Sequence, residues 1–265
     1  MSSSVSDPTR LDWSHFDPRD YLREYYADVG PENTALLRFL AEVYRELPPG
    51  GCMLDFGGGP TVYQLISAAA RVSEIHFSDY LAQNLEEVRR WLRADPLAFD
   101  WSPFIRTALE LERGRPCTEL EVEARAQEIR ARVSRVVVCD ASKNPPLDSG
   151  GRLYDVVLTN FCAESATSDP LQWQAYMANI ASLLRPGGWL VTAALLGATC
   201  YSVGPREFPA VSISPEDLLE LLDEIGFRRK DIRTLTVPAD RPSRDYGGIV
   251  LAVGRKHPVS TRSRD

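Results

Sequence analysis

Residues 52–60 read Cys-Met-Leu-Asp-Phe-Gly-Gly-Gly-Pro, an apolar stretch that runs directly into a glycine-rich turn. A strand followed by such a turn lets the backbone approach a ligand closely, and we expect Gly57, Gly58 and Gly59 to aim free N–H groups at that ligand. The chain has neither Gly-x-Gly-x-x-Gly nor Gly-Lys-Ser/Thr, which disfavours a dinucleotide site and a P-loop. The turn therefore predicts a different kind of ligand site at the end of a buried strand.

Two acids follow later apolar runs at positions that suit the same ligand. Asp79 ends the second run, where an open α/β sheet places a carboxylate that accepts hydrogen bonds from both ribose hydroxyls. Asp140 closes the third run, so its carboxylate and the N–H of Ala141 could bind an adenine. Each acid alone is explained equally well as a helix N-cap. Both together, after a glycine turn, favour a ligand that contains a nucleoside.

Apolar β-branched runs alternate with amphipathic helical segments along most of the chain. This alternation is typical of an α/β protein whose mostly parallel sheet is covered by helices on both faces. The predicted strands are 52–56, 74–77, 135–139, 154–160, 188–196, 232–237 and 247–253, and the clearest helices are 32–46, 82–93, 171–184 and 215–225.

Two segments are additional to this alternation. Residues 17–46 form a helical N-terminal section, and residues 94–133 form an insertion whose charged helix, at about 119–132, we expect to be a solvated surface helix. The polar termini at 1–12 and 257–265 carry no pattern, and we expect both to be disordered. One domain is therefore predicted over 13–256, with a helical lid at 13–47 and the insertion at 94–133.

Composition limits the class of partner. The formal net charge of -7 argues against nucleic acid, because its binding proteins present clustered basic faces, and a small-molecule partner is expected instead. The five cysteines are scattered and form no Cys-x-x-Cys pair, so we expect neither a metal site nor a disulfide framework. No apolar run of ~18 residues indicates a membrane span, and the N-terminus does not read as a leader. We expect a cytoplasmic protein.

Four sequence blocks give the chain a specific resemblance to a known family. They are Phe16-Asp17-Pro18-Arg19-Asp20-Tyr21-Leu22-x-x-Tyr25-Tyr26, Gly59-Pro60-Thr61-Val62-Tyr63-Gln64-Leu65, Ser78-Asp79-Tyr80-x-x-Gln83-Asn84-Leu85 and Ala98-Phe99-Asp100-Trp101-Ser102-Pro103. The chain resembles the nicotinamide, phenylethanolamine and indolethylamine N-methyltransferase family, as a divergent and bacterial-type member. The resemblance implies a Rossmann-like class I methyltransferase fold, with an antiparallel last strand among seven and a helical lid. It also implies S-adenosylmethionine as methyl donor, S-adenosylhomocysteine as product and no metal.

The resemblance further implies which residues bind the donor. Matching family positions place Tyr26, Tyr63 and Asn84 at its methionine and ribose end, Asp79 at the ribose, Asp140 and Ala141 at the adenine, and Asn160 and Phe161 near the sulfonium. Tyr21 matches a lid residue that closes over both ligands. The expected donor-binding set is completed by Gly57, Gly58, Gly59, Thr61 and Tyr80.

On the substrate side the chain departs from the family pattern. Ala194 stands where the nicotinamide enzyme has an aspartate, which disfavours nicotinamide as the acceptor. Glu164 matches an acidic position near the substrate nitrogen of the aromatic-amine members, and Asp245 falls near another. Because an alkylamine is mostly protonated at neutral pH, a carboxylate beside it would position it and accept a proton. The candidate catalytic residues are Glu164, Asp245 and Tyr21, and the candidate substrate-binding residues are Tyr25, Glu164, Tyr201 and Asp245.

The function expected from these features is in-line methyl transfer to the nitrogen of a small aromatic, alkyl or guanidine-bearing amine, in specialised metabolism, by a monomer or weak homodimer. Two alternatives stay open: an O- or S-methyltransferase of a small metabolite on the same fold, and a non-catalytic partner protein that binds the donor. Methylation of nucleic acid is disfavoured by the charge. It is also disfavoured because residues 160–163 read Asn-Phe-Cys-Ala instead of Asp/Asn-Pro-Pro-Tyr/Phe.

Overall fold

A computed structural model describes residues 13–240 and 245–257 of the chain. The strands are β1 (Cys52–Phe56), β2 (Glu74–Asp79), β3 (Val133–Val138), β4 (Tyr154–Asn160), β5 (Leu184–Leu196), β6 (Cys200–Val203), β7 (Arg206–Pro209), β8 (Arg233–Pro238) and β9 (Gly248–Arg255). Seven of them form the main sheet in the order β3-β2-β1-β4-β5-β9-β8, and β6 pairs with β7 in a separate hairpin.

The predicted fold class is confirmed by this sheet. Strands β1 to β5 pair in parallel, and the last strand, β9, runs antiparallel to both β5 and β8. β1 is fully buried inside the sheet, which explains why its sequence is apolar on both faces, with Asp55 as the exception, rather than alternating. Its carboxyl end lies between those of β2 and β4, so the glycine turn is flanked by Asp79 on one side and Asn160 on the other.

The helices are α1 (Pro18–Tyr26), α2 (Gly30–Glu46), α3 (Ile66–Ala69), α4 (Ala82–Leu92), α5 (Ser102–Arg113), α6 (Glu119–Arg132), α7 (Pro170–Ser182) and α8 (Pro215–Glu224). Local sequence explains where they begin. Asp17 caps α1 by accepting the N–H groups of Arg19 and Asp20, and Ser214 forms a capping box with Asp217 at the start of α8. The predicted helical section 17–46 is two helices, because Gly30 takes a positive φ of 60° before Pro31.

The charged helix of the insertion is not simply a solvated helix. Its residues Val122, Arg125, Ala126 and Ile129 are buried, and it packs against α3 and α5. Arg125 donates to both carboxylate oxygens of Glu112, at 2.9 Å each, and to the carbonyl of Ile66 at 2.8 Å. The charge pattern alone could not predict this, because the sequence does not distinguish a charged residue in a buried ion pair from one that is exposed to solvent.

The β6–β7 hairpin is a feature that the periodicity did not predict. Each strand has only four residues, which is too short for a clear alternating pattern. The Gly204-Pro205 dipeptide between them was the available turn signal.

The predicted disordered segments lie almost entirely outside the described residues. His257 is the exception, and its backbone N–H donates to the carbonyl of Gly226 at 3.0 Å. Among the helices within 13–240 and 245–257, none has the length and hydrophobicity needed to cross a membrane.

Candidate active site

A cavity of about 890 Å³ opens at the carboxyl edge of the parallel strands, the edge at which open α/β sheets bind ligands. Its walls come from the β-strand ends, from α1 and from the β6–β7 hairpin. The predicted site residues that line it are Tyr21, Tyr25, Tyr26, Gly57, Gly58, Gly59, Thr61, Tyr63, Asp79, Tyr80, Asn84, Asp140, Ala141, Asn160, Phe161 and Tyr201.

The glycine turn does not present free N–H groups, and that expectation was wrong. The N–H groups of Gly57 and Gly58 both donate to the carbonyl of Ser78, at 2.9 and 3.0 Å, and the N–H of Gly59 donates to Oδ2 of Asp79 at 2.8 Å. The end of β2 uses these donors, so contacts within the protein fix the shape of the turn.

Each of the three glycines is required for a different reason. A side chain at Gly57 would overlap the sulfur of Cys162, and a Cβ at Gly58 would lie 2.6 Å from the ring of Phe77. A Cβ at Gly59 would meet no atom within 4 Å, although its φ of +64° disfavours any side chain. Gly57 and Gly58 therefore allow close packing, and only Gly59 faces open space in the cavity.

Neither Asp79 nor Asp140 is a helix N-cap. Oδ1 of Asp79 accepts the N–H of Leu81 at 2.8 Å and Nδ2 of Asn84 at 3.0 Å, while Oδ1 of Asp140 accepts the N–H and the hydroxyl of Ser142 at 3.0 and 2.6 Å. Burial raises the pKa of Asp79, and these hydrogen bonds oppose the increase. Both acids are held in turns directly after their strands, with their carboxylates at the cavity wall.

Tyrosines from α1 form the roof over the glycine turn. The Tyr26 ring stacks on Tyr63 with centroids 5.4 Å apart, and its hydroxyl forms hydrogen bonds with those of Tyr21 and Tyr63. Burial raises the pKa of Tyr26 and of Tyr63 well above the usual range, so these phenols stay protonated and can donate hydrogen bonds at neutral pH.

The hairpin closes the cavity together with α1. The Tyr25 hydroxyl donates to the carbonyl of Ser202 at 2.9 Å, and the rings of Trp13 and Phe208 are stacked with centroids 5.2 Å apart. Tyr201, on β6, lines the cavity from this side. The N-terminal section and the hairpin are thus two parts of one cover.

Glu164 lies one layer behind the cavity. It is 3 % exposed and is not among the described residues that line the cavity, although its neighbours Ser165 and Leu195 are. Its Oε1 accepts the N–H of Leu195 at 3.2 Å. Burial raises the pKa of Glu164 to about 7, against the opposing effect of these hydrogen bonds.

Asp245 is exposed and is likewise not among the described lining residues, whereas the next residue, Tyr246, is. Tyr246 donates its hydroxyl to Oε1 of Glu32 at 3.0 Å. The lining residues missed by the sequence reasoning include Asp28, Glu32, Asp240 and Tyr246.

A separate cluster lies at the amino end of the strands. Ligand atoms of Cys52, Glu74 and His76 all lie within 4.8 Å of one another. Two members of this cluster already form hydrogen bonds. The His76 ring lies 2.9 Å from the Tyr154 hydroxyl and 3.1 Å from Glu74, and Arg152 donates to Glu74 at 2.7 Å. The prediction that no metal binds is not tested by this arrangement.

The cavity has polar groups that fit a bound nucleoside and amino acid. Oδ1 of Asn84 and Oδ1 of Asn160 are buried and lack a hydrogen-bond partner within the described part of the chain, and both residues line the cavity. Buried polar groups are normally paired. These oxygens, and the open space at Gly59, suit a ligand that brings several donors.

The sheet order, the antiparallel last strand, the fixed glycine turn and the acid at the end of β2 define a class I S-adenosylmethionine-dependent methyltransferase. Comparison with known proteins gives the family: the chain belongs to the NNMT/PNMT/TEMT family, whose model matches residues 9–257. The chain is therefore an S-adenosylmethionine-dependent N-methyltransferase.

Individual relatives agree with the family match. The chain is 36% identical to indolethylamine N-methyltransferase of Mus musculus, covering 92% of this chain and 94% of the relative. It is 32% identical to nicotinamide N-methyltransferase of Sus scrofa (92% and 94% covered) and 34% identical to phenylethanolamine N-methyltransferase of Sus scrofa (95% and 93%).

Solved structures show the same fold at lower identity. A methyltransferase from Methanosarcina mazei matches with a TM-score of 0.56 and 14% identity, covering 82% of this chain and 97% of that one. The N-methyltransferase NodS from Bradyrhizobium japonicum, solved with S-adenosylhomocysteine, matches with a TM-score of 0.53 and 14% identity (88% and 91% covered).

Proposed function

We propose that this enzyme transfers a methyl group from S-adenosylmethionine to the nitrogen of a small primary or secondary amine, which is aromatic, alkyl or guanidine-bearing. The observation that carries the proposal is that one cavity contains both sets of groups. Donor-side residues stand at the ends of β1 and β2, and the same cavity is lined by Phe161, directly after β4, and by Tyr201 on β6. The relatives named for indolethylamine and phenylethanolamine, at 36% and 34% identity, support the substrate class.

The donor side is assigned residue by residue. Asp79 would hold the ribose hydroxyls, and Asp140 with the N–H of Ala141 would bind the adenine between Tyr80 and the following loop. Asn84, Tyr26 and Tyr63 would hold the methionine end above Gly59 and Thr61, and Tyr21 would close over it. When bound, the donor supplies an activated methyl on sulfur, and the residues named here only orient it and exclude water.

Glu164 is proposed to act from behind the wall that Leu195 and Ser165 form. With a pKa of about 7, it is partly ionised at neutral pH, and its negative charge stabilises the cation that forms on nitrogen as the methyl group arrives. In this proposal the proton that the acceptor nitrogen loses goes to solvent and not to Glu164. Asp245, which is exposed, has no comparable support in the structure, and Tyr246 replaces it as the candidate substrate contact.

Nicotinamide is a poor candidate acceptor. Ala194, at the position of the family aspartate, is 3 % exposed and packs in the apolar core on one face of the sheet. Ala198 and Ala210, which stand where the nicotinamide enzyme has serines, are also buried. These three positions offer no polar group to an amide such as that of nicotinamide.

Calorimetric titration with S-adenosylhomocysteine followed by a panel of amines, alcohols and thioethers tests the proposal. We expect micromolar binding and turnover of amines above that of the matched alcohols and thioethers. Binding with turnover of alcohols or thioethers alone would reassign the acceptor, and no binding by the folded protein would refute the donor site.

Two properties stay predictions from the sequence. We propose that the enzyme is cytoplasmic and is a monomer or weak homodimer. The relatives named above are mammalian, so the bacterial type also stays a prediction.

A further inference from the structure

In the side-chain amide of Asn160, the nitrogen forms a hydrogen bond and the oxygen has no partner among the described residues. Asn160 ends β4, is 8 % exposed, and donates from Nδ2 to the Tyr63 hydroxyl at 3.4 Å. Its Oδ1 is buried and accepts no hydrogen bond from the residues that the structure describes. Because leaving a buried acceptor unpaired is unfavourable, this oxygen fits a site whose ligand supplies an N–H or O–H.

The order of the strands indicates which ligand supplies an N–H or O–H to Oδ1 of Asn160. β1 and β2, with the glycine turn and Asp79, lie on one side of β4, and β5 with Leu195 lies on the other. Asn160 pairs with Ala193 of β5 and therefore stands on the boundary between the two sides. Its Nδ2 is held by Tyr63 on the donor side, so Oδ1, which diverges from the same planar carbon, points away from Tyr63.

The backbone next to Asn160 is fixed in a disfavoured conformation. Phe161 has a φ of +53°, a region that bulky side chains rarely adopt, and its N–H donates to the carbonyl of Ala193 at 2.8 Å. Such strain persists where the surrounding structure enforces it and is concentrated at functional sites. Asn160 and Phe161 both line the cavity.

We propose that Oδ1 of Asn160 accepts an N–H from the acceptor nitrogen and directs the nitrogen lone pair at the methyl group, which rests on the amine function proposed above. The nitrogen–carbon bond forms as the carbon–sulfur bond breaks with its electron pair going to sulfur, and the resulting nitrogen cation releases one proton to solvent. A neutral primary or secondary amine has both a lone pair and an N–H, whereas a tertiary amine has no N–H. Methylation therefore ends at the tertiary amine.

The test uses the first amine that the wild type methylates, together with its N-methyl and N,N-dimethyl derivatives. The wild type is expected to turn over the first two and to use the dimethyl compound with a kcat/KM lower by about 100-fold. Asn160→Leu, similar in shape but without the amide, should lose about tenfold or more in kcat/KM for the primary amine, mostly in kcat. Because Nδ2 also bonds to Tyr63 on the donor side, its affinity for S-adenosylhomocysteine should fall, but by a smaller factor than kcat/KM.

Asn84→Leu is the matched control, because Asn84 also has a buried, unpartnered amide oxygen but lies on the donor side. It should lose affinity for S-adenosylhomocysteine and keep the preference for N–H-bearing amines. The inference is wrong if Asn160→Leu loses S-adenosylhomocysteine binding in proportion to its activity, or if the wild type methylates the tertiary amine as fast as the primary one. If the wild type binds S-adenosylhomocysteine but methylates no amine, the proposed function fails first and the inference falls with it.

Discussion

The carboxylate of Asp79 accepts the backbone N–H of Gly59 at 2.8 Å, so the end of β2 holds the turn that follows β1. Replacing Asp79 by Ala should therefore remove the proposed ribose acceptor and release the turn at the same time. We expect affinity for S-adenosylhomocysteine to fall by about 100-fold, as for two charge-assisted hydrogen bonds. Calorimetry measures this directly. Asp79→Asn keeps one oxygen and should lose less, and an unchanged Kd in the Ala variant would contradict the assignment.

Gly58 and Gly59 should respond differently to the same substitution. Gly58→Ala places a methyl 2.6 Å from the Phe77 ring and from Asp55, so we expect a loss of about 1–3 kcal/mol in the free energy of unfolding. Gly59→Ala places the methyl in the cavity and should weaken S-adenosylhomocysteine binding more than stability, apart from about 1 kcal/mol for the left-handed conformation. Thermal melts and calorimetry on both variants separate the two effects. Equal loss of stability would contradict this division of roles.

Glu164 should make the stability of the protein depend on pH. Its pKa rises from 4.5 to about 7 on folding, so between these values the folded chain binds more protons than the unfolded chain, and stability falls as pH rises through this window. Glu164→Gln removes this dependence. Relative to the wild type, the variant should gain about 3 kcal/mol between pH 4 and pH 8. Urea melts of both proteins across this range measure the difference in the free energy of unfolding, and the contributions of other titrating groups cancel in that difference. A difference that does not change with pH would show that Glu164 does not titrate in this range.

The same substitution should change the pH dependence of catalysis. If the ionised carboxylate stabilises the cation on nitrogen, kcat/KM of the wild type gains a limb that rises through about pH 7. Glu164→Gln should lower kcat/KM at pH 8 and flatten that limb, while its S-adenosylhomocysteine affinity stays the same. A pH–rate profile identical to that of the wild type would remove Glu164 from the mechanism.

Breaking the ion pair in the insertion should destabilise the protein without affecting the site. The side chains of Arg125 and Glu112 are 8% and 17% exposed, so Arg125→Met leaves a largely buried carboxylate without its partner. We expect a loss of about 3 kcal/mol in the free energy of unfolding. Adding Glu112→Leu to the Arg125→Met variant should restore part of the lost stability. Both variants should bind S-adenosylhomocysteine normally in the folded state, and a native-like stability of Arg125→Met would contradict a structural role for the pair.

Much of the fold was readable because the positions of the strands follow from local signals. The largely apolar run at 52–56 predicts a buried strand, and the glycines after it predict a turn. Acids at the ends of the next two runs then place Asp79 and Asp140 at one edge of the sheet. The resemblance added the tyrosines of α1, which sequence periodicity alone would assign to an ordinary packed helix.

The sequence could not predict how deeply a side chain is buried or which distant groups form hydrogen bonds with each other. The N–H groups of Gly57 and Gly58 are taken by Ser78, a residue of another strand, and no local pattern records that. Glu164 lies behind the cavity wall, where the backbone N–H of Leu195 on β5 donates to it. Asp245 is exposed, whereas the next residue, Tyr246, lines the cavity. These are properties of how distant segments meet.

The hydrogen bond from Tyr25 to Ser202 joins two segments that are 177 residues apart in the chain. Since it ties the N-terminal helix to the hairpin, we expect a substitution that displaces one part of the cover to disturb the other as well.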